Sequence, residues 1–177
     1  RKFAPRAYHM AHLYQNKIFV IGGKRYSTNR KLEYTDATME VYDLAKDTLY
    51  IDPVNPHQAI NFTSFIYDDC LYVIGGSVKK LVFSDKIHAL DLKTGVWYDM
   101  GTIPEESRRE MNGILVGHTV YFFGGRRRSP MWKIESYDLL TGEWKQLCDL
   151  KEGVAYPGLA TDGHLIYIYE NRSLQVY

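Results

Sequence analysis

The side chains best equipped for strong directional contacts come in short cationic runs: Lys24-Arg25, Lys79-Lys80 and Arg126-Arg127-Arg128. An arginine guanidinium presents a planar fork of donors that grips carboxylate, sulfate or phosphate through paired hydrogen bonds, whereas lysine supplies a mobile point charge. These runs suit recognition of an anionic group. Trp132 follows the third run, and an exposed indole there could stack on a sugar ring or a peptide side chain. Phe83 and Tyr34 offer the same possibility in their own loops.

Each run leaves the same kind of element. Ile18-Phe19-Val20-Ile21 ends in Gly22-Gly23, Leu71-Tyr72-Val73-Ile74 in Gly75-Gly76, and Val120-Tyr121-Phe122-Phe123 in Gly124-Gly125. A fourth copy, Ile166 to Tyr169, is followed by Glu170-Asn171. Such runs are too short and too rich in β-branched and aromatic residues for helices, so they read as buried strands ending in a backbone bend. Upstream of each lies a short strand: His9 to Tyr14, Phe62 to Tyr67, Met111 to Val116 and Pro157 to Asp162. Downstream come alternating strands, Met39 to Leu44, Ile87 to Leu92, Ile134 to Leu139 and Leu174 to Tyr177. In the first three copies a polar turn then leads into a strand opened by Tyr50, Trp97 or Trp144. Each repeat is therefore four antiparallel strands, A to D, with repeats at about residues 5–57, 58–106, 107–152 and an incomplete 153–177.

A four-stranded repeat with Gly-Gly after strand B and an aromatic in strand D resembles the kelch repeat along the whole chain, 1–177. The resemblance is carried by Pro5-Arg6 with His9, by the three glycine pairs, by the Tyr-Asp or Leu-Asp ends of strand C, and by Trp97 and Trp144. It implies an all-β propeller, of which this chain supplies three blades and most of a fourth, and local distortion where Gln58-Ala59 replaces Pro-Arg or Glu170-Asn171 replaces glycines. The residues ahead of Pro5 are too few to supply the missing strand D, so a longer propeller of five to seven blades is expected. Kelch adaptors contact ligands just after the Gly-Gly pair and just after the Pro-Arg pair. Carried onto this sequence, that implies Tyr8, Lys24, Arg25, Asn61, Arg109, Arg126 and Arg127, with Lys79 and Trp132 added from the cationic loops. Arg6 and Arg108 or Arg109 are alternatively braces between blades. The expected ligand is a protein or peptide with acidic groups. The alternatives are an acidic carbohydrate, as in bacterial kelch proteins that bind or mutarotate sialic acid, and a structural spacer. The compartment follows the choice: cytoplasm for an adaptor, periplasm or cell surface for an exported bacterial protein.

Other chemistries lack their residue sets. His118 and His164 occupy the A-to-B turn where Asn16 and Asp69 stand in other copies, and His9 and His12 fall on opposite faces of one strand. No HExxH or CxxC spacing occurs, so neither a metal nor a cofactor is expected. Asp68-Asp69 and Glu105-Glu106 are neighbours in turns and do not face each other as acid-base catalysis requires. A net charge of +1 gives no global attraction to nucleic acid or an anionic membrane. No apolar run is long enough to cross a bilayer as a helix. Cys70 and Cys148 sit at unmatched repeat positions and argue for no disulfide. Asn61-Phe62-Thr63 and Asn171-Arg172-Ser173 satisfy the N-glycosylation sequon formally.

Overall fold

Alternating side chains and glycine-terminated strands build one sheet per repeat in the computed structural model, which describes residues 3–52 and 54–177. Of the residues ahead of Pro5, Arg1 and Lys2 lie outside that description. The first sheet joins β1 (Met10–Tyr14), β2 (Lys17–Ile21), β5 (Met39–Asp43) and β6 (Thr48–Asp52), and a ribbon of β3 (Lys24–Tyr26) and β4 (Glu33–Thr35) lies between β2 and β5 in the chain. In the second, β7 (Thr63–Tyr67), β8 (Cys70–Ile74), β11 (Lys86–Asp91) and β12 (Trp97–Thr102) pair in that order, with a ribbon of β9 (Ser77–Lys79) and β10 (Val82–Phe83). The third runs β13 (Glu110–Val116), β14 (Thr119–Arg126), β15 (Met131–Asp138) and β16 (Trp144–Val154). The fourth has β17 (Gly158–Thr161), β18 (Ile166–Glu170) and β19 (Ser173–Val176). These are four antiparallel blades of a propeller, the last with three strands among the described residues.

The core lies between blades. Phe19, Ile21 and Val41 of the first blade pack on Phe62, Leu71 and Val73 of the second. Ile74, Ile87 and Tyr72 meet Met111, Val120 and Phe122 of the third, while Phe123 and Ile134 meet Ile166 and Ile168 of the fourth. Both faces of an inner blade are thus buried, which is why strand B reads as a continuous apolar run. The strand D tryptophans face backwards around the arc. Trp97 donates its indole N–H to the Val54 carbonyl at 3.0 Å, and Trp144 stacks on Phe122 with ring centres 4.9 Å apart.

The recurrent residues have local reasons. Asp43, Asp91 and Asp138, closing strand C, each accept two successive backbone N–H groups of the following turn at 2.8–3.0 Å. Gly22 adopts φ +68° with the Phe62 ring of the next blade filling the space of a side chain. Gly76 adopts φ +87°, and a Cβ there would stand 2.6 Å from the Ile60 carbonyl oxygen.

Each blade also closes its strand A entry onto its own strand B exit. Arg6 donates to the Gly22 and Thr38 carbonyls at 3.1 Å and pairs with Glu40 and Asp36. In the third blade Arg109 donates to the Gly124 carbonyl and to Ser107 O, and pairs with Glu135. The second blade puts two histidines in these places. Nε2 of His57 donates to the Gly75 carbonyl at 2.7 Å, and its Nδ1 lies 3.0 Å from Nδ1 of His88. Glu40, His88 and Glu135 are equivalent in register, each opposite the residue two before the first glycine. A carbonyl only accepts, so His57 carries its proton on Nε2 and its Nδ1 accepts from His88. The replacement of Pro-Arg by Gln58-Ala59 therefore changes the brace and leaves the blade intact. In the fourth blade the Glu170 carboxylate accepts from the backbone of Ala155 and Tyr156 at 2.6 and 2.8 Å. Asn171 and Arg172, at φ +52° and +66°, then make a two-residue hairpin turn into β19.

Candidate functional site

The backbone puts most of the candidate side chains on one rim. In the first blade Ala7 and Lys24 exchange backbone hydrogen bonds at 2.8–3.0 Å, and in the second Ile60 and Ser77 do the same at 2.8–2.9 Å; Glu110 and Arg126 pair in register in the third. Each residue leaving a glycine pair is thereby fixed beside the strand A entry of its own blade. Tyr8 and Asn61 follow these contacts with φ +59° and +50°, a left-handed conformation uncommon for residues other than glycine. Tyr8 projects an exposed ring, and the Lys24 ammonium lies 4.9 Å from its centre.

Arg6, Lys24 and Arg25 of the first blade are already matched by carboxylates. Arg25 pairs with Asp36 and Glu40, which also hold Arg6, so two arginines and two acids form one neutral cluster. Lys24 pairs with Glu33 across the β3–β4 ribbon; the contact raises the lysine pKa and lowers that of the glutamate. A cleft of about 680 Å³ opens here beside Arg6, Lys24, Arg25, Arg30 and Tyr34, but only Arg30 among its cations lacks a carboxylate partner among the described residues.

The second and third blades differ. Lys79, Lys80, Arg126, Arg127 and Arg128 are exposed, and none forms an ion pair among the described residues. Arg127 is nonetheless held in place, donating to the backbone carbonyls of Arg108 and Glu105 at 2.7 Å each. Neutral acceptors orient the guanidinium without cancelling its charge. Between the blades a cleft of about 400 Å³ is lined by Leu81, Phe83, Arg127, Arg128, Ser129 and Met131. The β9–β10 turn presents Leu81, half exposed, on its second-blade wall. A contiguous hollow of about 620 Å³ shares Leu81, Phe83 and Arg127 and is lined also by Glu105, Glu106 and Arg108. The smaller cleft, lined by Arg127 and Arg128 and, among the described residues, by no acid, can seat an apolar side chain beside a carboxylate.

Two candidates fall elsewhere. Arg109 is fully buried in its pair with Glu135, so it is corrected from a ligand contact to a brace; burial alone would lower its pKa, and the Glu135 charge opposes this. The indole of Trp132 lies against Gly153 on β16, where a Cβ would stand 3.2 Å from its ring. Its neighbour Met131 lines the cleft, as alternation along a strand requires. Asn61 is half-buried, and its carbonyl accepts from Met111 N at 3.1 Å, linking the second and third blades. Among the described residues no group of three metal-ligating side chains converges.

Comparison with known proteins gives a family model, described as the KLHDC2/KLHL20/DRC7 Kelch-repeats domain, that matches residues 1–175. The curated N-(sulfonatooxy)prop-2-enimidothioate sulfolyase of Thlaspi arvense is 27% identical over 172 residues, which cover 89% of this chain and 48% of that protein. A Kelch repeat-containing protein of Dictyostelium discoideum is 31% identical over 77 residues, 43% of this chain and 11% of the relative. The chain thus spans about half or less of the length of these relatives. The solved structure of YjhT superposes with a TM-score of 0.81 at 15% identity, covering 93% of this chain and 58% of that one. At that identity the likeness speaks for the fold alone.

Proposed function

We propose that this chain, which belongs to the KLHDC2/KLHL20/DRC7 Kelch-repeats domain family, is a protein-binding propeller segment that docks an acidic, partly apolar peptide between its second and third blades. Kelch domains generally bind proteins; the position and chemistry of the ligand are our reading. The observation that carries it is the unequal treatment of the rim cations. Arg6, Lys24 and Arg25 of the first blade are neutralised by Asp36, Glu40 and Glu33, leaving Arg30 alone open in that cleft, whereas Arg127 and Arg128 both border an apolar hollow without a carboxylate partner among the described residues. A ligand carboxylate at Arg127 would meet a guanidinium already fixed by two carbonyls, so little side-chain freedom is lost on binding. A neighbouring leucine or phenylalanine of the ligand would cover Leu81, Phe83 and Met131. An acidic sugar fits less well, because Trp132, the exposed indole that would stack on its ring, does not line this hollow.

The test is a fluorescent peptide that alternates glutamate with leucine and phenylalanine, titrated against wild type and against the Arg127→Ala, Arg128→Ala protein. The double variant should bind about tenfold more weakly, and wild-type binding should fall as salt rises. Unchanged affinity in the double variant, with its thermal transition intact, would remove these arginines from the interface.

A further inference from the structure

We propose that Ser129 is a phosphorylation site whose phosphate closes the cleft between the second and third blades to acidic partners. Arg126, Arg127 and Arg128 precede it and Pro130 follows. That sequence offers an acceptor serine to a kinase that reads cations ahead of the hydroxyl, or to one that reads the proline after it. Residues 126–130 are all exposed, and they form a narrow turn joined at its base by the Arg126–Pro130 bridge. The Ser129 hydroxyl makes no hydrogen bond among the described residues, so the acceptor oxygen itself is free to meet a kinase.

Transfer of the γ-phosphoryl group of a nucleoside triphosphate forms the bond from Ser129 Oγ to phosphorus and breaks the bond from that phosphorus to the bridging oxygen. The hydroxyl proton passes to the kinase base, and the nucleoside diphosphate leaves. The modified serine carries a charge of about −2 and three acceptor oxygens. Because Ser129 shares the cleft wall with Arg127 and Arg128, the phosphate would occupy the same donors that a partner's carboxylates would use. It would also repel those carboxylates. Modification thereby changes the hollow from cationic to neutral or anionic without moving a blade. The regulatory half of this proposal rests on reading the cleft as an acidic docking site; the modification itself does not.

The experiment incubates the folded protein with magnesium ATP and, separately, an arginine-directed and a proline-directed serine kinase, then maps phosphate by peptide mass spectrometry. At least one kinase should modify Ser129, and the kinase that does so identifies which flank is read. The phosphorylated protein should then bind the glutamate-leucine-phenylalanine peptide at least about tenfold more weakly at low ionic strength. Ser129→Ala should resist the kinase, and its affinity for the peptide should be the same before and after incubation with kinase and magnesium ATP. Failure of both kinases on the folded protein, when both modify a synthetic peptide of residues 122–134, would overturn the site. Modification without loss of binding, where Arg127→Ala with Arg128→Ala does lose it, would overturn the regulation and leave the docking reading standing. If neither the phosphate nor the arginine substitutions altered binding, the docking reading itself would have failed, and the regulation with it.

Discussion

Acidification should loosen the junction between the first and second blades before it titrates the carboxylates of the fold. Burial lowers the His57 pKa from 6.5 to about 4, the Gly75 hydrogen bond opposes that shift, and the neighbouring His88 adds to it. Between these values the unfolded chain takes up a proton that the native state refuses. Stability is therefore intact above about pH 6.5, falls as the pH drops, and levels off near pH 4. At about 1.36 kcal/mol per pH unit, the gap is worth at most about 3 kcal/mol. The physical cause is visible in the contacts. His57 Nδ1 accepts from His88, so a proton added there would set two N–H groups against each other at 3.0 Å. The groups around the pair are Phe62 and the Gly75 carbonyl on His57, and Trp97, Asp85, Lys86 and Asp99 on the His88 side. Burial of His88 and His12 lowers their pKa values too, adding to the trend, so the decisive quantity is a difference between proteins. Urea midpoints followed by tryptophan emission, taken from about pH 7 to about pH 4.5, should fall steeply in wild type and clearly less in His57→Gln. Equal pH slopes in the two proteins would refute the assignment.

Three further outcomes follow from the braces and bends. Arg109→Met should cost about 3–5 kcal/mol in urea unfolding because Glu135 is left buried and uncompensated, and adding Glu135→Leu should recover part of that loss. Gly76→Ala should lower the thermal transition further than Gly142→Ala. Both residues have positive φ, worth about 1–3 kcal/mol on its own, but only Gly76 has a carbonyl where the new Cβ would go. Arg25→Ala should lower stability by about 1–3 kcal/mol through loss of its ion pair with the buried Asp36 carboxylate and of its hydrogen bond to the Thr38 hydroxyl, while leaving affinity for the acidic peptide unchanged, as fluorescence titration would show.

The blade architecture was legible because each strand B is apolar on both faces and stops at paired glycines, as in Ile21-Gly22-Gly23. The pattern that encodes the fold is also the pattern that repeats. The strand C aspartates carried their own signal, since an acid closing a strand before a polar turn commonly caps that turn. The His57–His88 brace carried none. Arg6 and Arg109 stand 16 and 15 residues before the glycines they hold, whereas His57 stands 18 before Gly75, so aligning the repeats set Ala59 in its place. The connections after Gly23 and Gly76 read as loops because no alternation marks Lys24–Tyr26 or Ser77–Lys79, yet both pair into ribbons. The sequence showed every rim cation but not its neutralisation. Asp36 and Glu40 become partners of Arg25, and Glu33 of Lys24, only once the β3–β4 ribbon folds the chain back, whereas Arg127 and Arg128 meet no such carboxylate among the described residues.

The most direct test of the docking account is a map of amide hydrogen exchange with and without the glutamate-leucine-phenylalanine peptide. The account predicts added protection in residues 79–83 and 126–131, on the two walls of the cleft, with residues 5–8 and 24–34 unchanged. Protection confined to the first-blade rim, where Lys24 and Arg25 are already paired with carboxylates, would contradict it.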